Sequence, residues 1–285
     1  MWRRSAALLL SLLLTGADSW PRDRHYSFWS DDPQPFLNAI ERTPVDAGRA
    51  LPAGQRIRAG IVTHHFLASG LMVRFFNELA GQSAPATIIL LGPNHHHHGL
   101  ANISFSSLPW KTPFGALPAD QSLVHAIAAA TGLPEDREAF TGEHSVGVLM
   151  PFVKYYFPSS HVVPILIDLN AQSYPLHRLR EVLSSALNRS DTLLLLSMDF
   201  SHNSVASIAD SRDAEARNAI ASMDSSKTEG LHVDCRKGLW LFLESLKQDG
   251  YRGVLFREHT NSALLTGRRD QPDVTSYFTI IVCGV

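Results

Sequence analysis

The chain reads as a single α/β domain with a mostly parallel central sheet flanked by helices. Two observations predict this. Continuous apolar runs of strand length alternate with amphipathic stretches of helical period from Arg56 onward. Three of those runs also lead straight into histidine. Arg58–Thr63 ends at His64-His65, Thr87–Leu91 passes through Gly92-Pro93-Asn94 to His95–His98, and Leu193–Met198 ends in Asp199-Phe200-Ser201-His202. In open α/β sheets ligands bind outside the carboxyl ends of the strands, so imidazoles delivered there are candidate metal ligands or acid–base groups.

Taken in order, residues 1–19 read as a secretory signal peptide. Arg3-Arg4 precedes a nine-residue apolar core, Ala6–Leu14, broken only by Ser11, and small residues follow. A membrane span needs about 20 apolar residues, so the mature chain is expected to have no transmembrane span and to be exported, periplasmic or extracellular. An uncleaved anchor is the alternative. Residues 20–55, rich in Pro, Asp and Arg, read as an N-terminal arm, and residues 56–285 form the α/β domain.

Within the domain, Arg58–Thr63 is a strand and Ser69–Ala80 a helix ending at Gly81. Thr87–Leu91 and Asn102–Ser106 are strands. Trp110–Pro118, broken by Pro and Gly, reads as loop. Ala119–Ala130 and Val148–Tyr156 are helical, and His161–Asp168 is a buried strand. Ser173–Asn188 carries Leu176, Leu179, Val182 and Leu183 on one stripe. After Leu193–Met198 come helices at Asp210–Met223 and Thr228–Lys247, then closing strands at Arg252–Glu258 and Thr275–Cys283.

The 285 residues are 45% hydrophobic and 18% charged, with a formal net charge of −2. That is enough apolar material for one large core, and without a basic stripe it predicts no nucleic-acid binding. The two cysteines, Cys235 and Cys283, are read as buried thiols, with a disulfide as the alternative in an exported protein.

The fourteen histidines carry the chemistry. Adjacent imidazoles in a loop point in diverging directions, so one or two of His95–His98 are expected to face a site, with His97 and His98 as bystanders. His64 repeats the arrangement at a second strand end. Two imidazoles leave coordination positions open, which suits catalysis more than a closed structural site. Asp199 fits a carboxylate orienting a ligating histidine, and His202 a proton donor or acceptor. A helix N-cap is the plainer reading of Asp199. Glu143-His144-Ser145 precedes a helical segment. Glu143 is a candidate ligand, because a carboxylate joins two histidines in open iron centres. His144 is counted with His202 and Asp199 among the candidate catalytic residues.

Gly92-Pro93-Asn94-His95-His96, Glu143-His144-Ser145 and Asp199-Phe200-Ser201-His202, in this order, resemble the Memo family, including the bacterial AmmeMemoRadiSam system protein B. The resemblance covers roughly Arg56 to Val285, with Asn261-Ser262, Thr266-Gly267 and Ser276-Tyr277 similar to the family's C-terminal segment. It implies a fold like that of the class III extradiol ring-cleaving dioxygenases. It also implies metal ligation by His64 and His95, with His202 at the place of the acid–base histidine. Fe(II) or copper is the implied metal, with zinc in a hydrolase as the alternative. A small aromatic substrate or a protein partner is the implied ligand. The pattern departs at Gly147 and Leu149, where the family motif continues with glutamate and histidine, and at Thr63-His64-His65-Phe66, where it reads Pro-His-Ala-Gly. The animal protein's third ligand, a cysteine, falls near Gly267. Glu143, Asp199, Asp270 and Asp273 are the candidates to replace it.

Overall fold

The computed structural model describes residues 25–26, 31–45, 50–247, 251, 253–268 and 270–284. The expected signal segment, 1–19, lies outside the described residues. The strands are β1 (His25–Tyr26), β2 (Arg56–Val62), β3 (Thr87–Pro93), β4 (Ile103–Phe105), β5 (Trp110–Thr112), β6 (Gly115–Leu117), β7 (His161–Ile167), β8 (Thr192–Ser197), β9 (Gly253–Asn261) and β10 (Ser276–Gly284). The helices are α1 (Gln34–Arg42), α2 (Ser69–Ala80), α3 (Gln121–Thr131), α4 (His144–Gly147), α5 (Met150–Tyr156), α6 (Ser173–Leu187), α7 (Ala206–Ala221), α8 (Arg236–Leu246) and α9 (Ser262–Thr266).

The main sheet has seven strands in the order β4-β7-β3-β8-β2-β10-β9. Strands β7, β3, β8 and β2 are mutually parallel, and β4 and β10 join their two edges antiparallel. Strand β9 pairs antiparallel with β10, so it runs in the direction of the parallel four. Strand residues alternate between two apolar layers, as a period of two demands. Ile89, Leu91, Leu194 and Leu196 face α3, α6, α7 and α8. Ile88, Leu90, Leu193 and Leu195 face α1, α2 and α5. Burial on both faces explains why these strands read as unbroken apolar runs.

The crossover from β2 through α2 to β3 leaves a gap of one strand, which β8 fills. Three adjacent strands therefore end side by side at one edge. They deliver His64, Asp199 and His95 to it.

Three sequence expectations change. Trp110–Pro118 is a hairpin, not a loop: β5 and β6 pair antiparallel and β1 adds in parallel. Its strands are too short for a periodicity to show, and buried Trp110 holds them on the core. The arm contains α1, whose Phe36 is fully buried against Phe66 and Phe152. Thr228–Lys247 is not one helix. A 3₁₀ turn, Ser225–Gly230, stops at Gly230, and α8 starts only at Arg236. Between them the backbone of Asp234 turns to the Asp199 carbonyl, 3.3 Å away, instead of continuing a helical ladder. Cys235 and Cys283 are both buried free thiols in different apolar layers.

His25 makes β1 sensitive to acid. Its Nε2 lies 2.8 Å from Ser106 Oγ, and its ring packs on Trp110 and Phe140. Burial first, and the Arg137 charge second, push this imidazole down to about 4 from its ordinary value of 6.5. Between those values the unfolded chain holds the extra proton. The stability from docking β1 is therefore complete above about pH 6.5 and is lost as the pH falls toward about 4. Amide exchange of Trp110–Thr112, corrected for the intrinsic rate, should quicken between about pH 7 and about pH 5. The His25→Gln variant should show no such change.

Candidate metal centre

His64 follows β2 and is almost fully buried. Its Nδ1 lies 2.9 Å from Ser197 Oγ, and that hydroxyl donates its one hydrogen to the Ser145 carbonyl at 2.5 Å. The hydroxyl must then accept, so His64 Nδ1 carries a hydrogen and Nε2 is left to face the site. Asp199, after β8, accepts from the Thr63 hydroxyl and, at 3.2 Å, from the His64 backbone N–H.

His95 is fixed in the same way from the other side. Asn94 staples the turn after β3: its Nδ2 donates to the His98 carbonyl at 2.7 Å, and its Oδ1 accepts from the His98 N–H. His97 adopts a left-handed φ of 51°. The turn sends His96, His97 and His98 to solvent and His95 inward. His97, 58% exposed, binds Asp168 instead. Glu143 is only 2% exposed and accepts His95 Nδ1–H at 2.9 Å, the His95 backbone N–H at 2.8 Å and the Ser145 N–H at 2.8 Å. His95 Nε2 therefore also faces the site. Close packing of α4 on β3 makes this pairing possible. A Cβ at Gly92 would stand 2.9 Å from Val146 Cγ1 and 3.0 Å from Ser145 Oγ, and Ser145 Oγ donates to the Pro93 carbonyl at 2.8 Å.

The two Nε2 atoms converge on Asp234, 3.2 Å (His64) and 3.7 Å (His95) from its Oδ2. Asp199 Oδ2 lies 3.9 Å from His64 Nε2 and 4.0 Å from His202 Nε2, so it stands between them. The expected group of His64, His95, His144, Asp199 and His202 is therefore brought together. His144 stacks on His95, centroids 4.4 Å apart and planes at 14°. Among the described residues, two sets of donor atoms come close enough to hold an ion: His64, His95 and His144, and His64, Asp199 and Asp234. Asp270 and Asp273 are exposed and belong to neither. Gly147 and Leu149 are buried, with Leu149 in the apolar layer under α5.

The electrostatics follow the geometry. Burial opposes charge on His95, but hydrogen bonds to Asp234 and Glu143 lift it to about 10. Burial likewise opposes charge on Glu143, yet His95 and two backbone N–H groups draw it down to about 2. His64 is raised against its burial by Asp199 and Asp234. His144, by contrast, is pushed down to about 4 by burial and then by the charges of His64 and His95. Beside these groups opens a cavity of about 310 Å³ lined by His202, Leu231, His232, Val233, Asp234 and Arg236.

The chain matches the family model of Memo-like proteins over residues 26–281. It belongs to the Memo family. A MEMO1 family protein of Pyrobaculum arsenaticum is 28% identical over 232 residues, 76% of this chain and 81% of that protein. MEMO1 family protein MTH_45 of Methanothermobacter thermautotrophicus is 27% identical over 216 residues, 72% of this chain and 77% of that protein. Among solved structures, uncharacterized protein JW3007 of Escherichia coli K12 covers 78% of this chain and 99% of its own at TM-score 0.49 and 11% identity, a likeness too weak to build on. The Memo match takes in part of the arm as well as the α/β domain. Among the described residues of this Memo protein, no helix is long and apolar enough to cross a membrane.

Sequence reading missed Asp234. Its signal was small: an aspartate just ahead of an apolar periodic run, the usual residue type at a helix start.

Proposed function

We propose that this Memo protein binds a redox-active metal, Fe(II) or copper, through His64 and His95. We further propose that it acts as an oxidoreductase of dioxygenase-like build on a small aromatic substrate. One observation carries the metal reading: each imidazole has its Nδ1 fixed on a separate partner, Ser197 or Glu143, so that both Nε2 atoms face one point. Imidazoles held by a second layer of acceptors are how proteins orient metal ligands. A redox metal bound there would supply electron transfer. The chain's residues would do the rest. Ser197 and Glu143 set the two rings, and Asp199 holds the Thr63–His64 backbone in place. His202 Nε2, at the rim of the cavity, would take a proton from a substrate hydroxyl or return one. The cavity beside Asp234 would admit a substrate ring against Leu231 and Val233.

Oxygen uptake by Fe(II)- or copper-loaded protein with catechol and alkyl-catechols tests the catalytic half. Uptake should fall about 10²–10⁴-fold in His202→Gln, the usual span for losing a general acid or base. No uptake with either metal would overturn the oxidoreductase reading. It would favour a second one, a metal-binding member without catalysis. That reading draws on Leu149, an apolar core residue where the family motif has a histidine.

A further inference from the structure

We infer that Arg236 forms a carboxylate subsite in the cavity, so that the substrate is an aromatic acid and not an uncharged aromatic; this rests on the substrate reading above. The cavity of about 310 Å³ lies at the lower end of the range for small-ligand sites, room for one substituted ring. Its lining divides by chemistry. Leu231 and Val233 give an apolar wall, while His202 and Asp234 belong to the crevice. Arg236, the first residue of α8, is half-buried and lines the same space.

The charges of this lining are unevenly matched. Asp234 Oδ2 faces His64 Nε2 at 3.2 Å and His95 Nε2 at 3.7 Å, and the Asp199 N–H donates to its Oδ1 at 3.1 Å, so its charge is met within the protein. Arg236 is not met in this way. Its Nη1 donates to the Glu229 carbonyl at 3.1 Å, a neutral acceptor. The Glu229 carboxylate goes instead to Lys237 Nζ, also at 3.1 Å. Among the described residues, no carboxylate stands within ion-pair distance of Arg236. A half-buried charge without a partner is costly, and the planar fork of a guanidinium matches a carboxylate through two parallel hydrogen bonds. The Glu229 carbonyl already holds one arm of that fork, which lowers the ordering cost of binding. The spacing agrees. Asp234 and Arg236 lie at most about 7 Å apart along the backbone, a span that one ring covers. A ring with its hydroxyls beside Asp234 and His202 would carry its acid on the opposite side, at Arg236.

The test is calorimetric titration of the full chain, purified without an affinity tag and kept anaerobic, with protocatechuate and with its neutral amide. Both ligands share the ring and its hydroxyls, so contacts to those parts cancel in the ratio of affinities. Wild-type protein should prefer the acid by about 10-fold or more, the scale of a charge-assisted pair. Arg236→Gln should bring the two affinities within threefold of each other, and Arg236→Glu should invert the preference, which a merely structural role would not do. Equal affinities in the wild type, no binding of either ligand, or a preference for the acid that survives Arg236→Gln would overturn the subsite. Oxygen uptake is scored separately. A charge preference without uptake leaves the subsite standing and the oxidoreductase reading overturned, and uptake without a charge preference does the reverse.

Discussion

Replacing His64 or His95 with alanine should reduce metal affinity by well over 100-fold, measured by competition with a chromophoric chelator. Loss of a residue that only orients a ligand costs about 10–100-fold, and loss of the ligand itself costs more. Either substitution leaves a single imidazole facing Asp234, which is too few donors for an open site. The neighbouring histidines provide the control. His97 bonds Asp168 and is mostly exposed, and His98 points to solvent with only its backbone tied to Asn94. His97→Ala and His98→Ala should bind metal within threefold of wild type. If instead they lose it while His64→Ala retains it, the histidine run is the binding element and the crevice is not.

The second large effect is at Glu143. Both its oxygens are committed, to His95 Nδ1 and to the backbone of His95 and Ser145. It therefore positions a ligand and does not supply one. Glu143→Gln keeps the shape but loses the charge, and should lower metal affinity about 10–100-fold. Glu143→Ala leaves three buried or half-buried donors without an acceptor and should also destabilise the fold by about 3 kcal/mol in denaturant titration. Metal affinity in Glu143→Gln equal to wild type would remove the orienting role. Asp234 and Glu143 together give metal binding a proton cost: an imidazole lifted to about 10 must release its proton before Nε2 can bind a cation, so affinity should rise with pH.

Much of this architecture is legible in the sequence because both layers of the sheet are apolar. Ser69–Ala80 matches α2 to the residue, and the runs ending at His64, His95 and Asp199 become β2, β3 and β8. The adjacent ends of β3, β8 and β2 bring His95, Asp199 and His64 to one sheet edge. What stayed hidden depends on contacts between remote segments. The β5–β6 hairpin has three-residue strands with Pro113-Phe114 between them, and no period can be read from so few residues. The stretch Thr228–Lys247 ends in the apolar helical run of α8, and Leu231 and Val233 just ahead of that run extend it by eye, so it reads as one helix. The break exists because Asp234 and Asp199 exchange backbone and side-chain hydrogen bonds. Asp234 was hidden for the same reason, whereas Glu143 and Asp199 were visible beside their histidines. In the diverging run His95–His98, one ring faces inward and three face out.

The central claim is that His64 Nε2 and His95 Nε2 meet on one ion. An anomalous difference map from crystals of the untagged chain, grown with Fe(II) under anaerobic conditions, tests it most directly. One strong peak is expected within about 2.0–2.3 Å of both Nε2 atoms, with Ser197 and Glu143 still on the two Nδ1 atoms. A peak among His96, His97 and His98, or an empty crevice with His64 Nε2 still paired to Asp234, would contradict it.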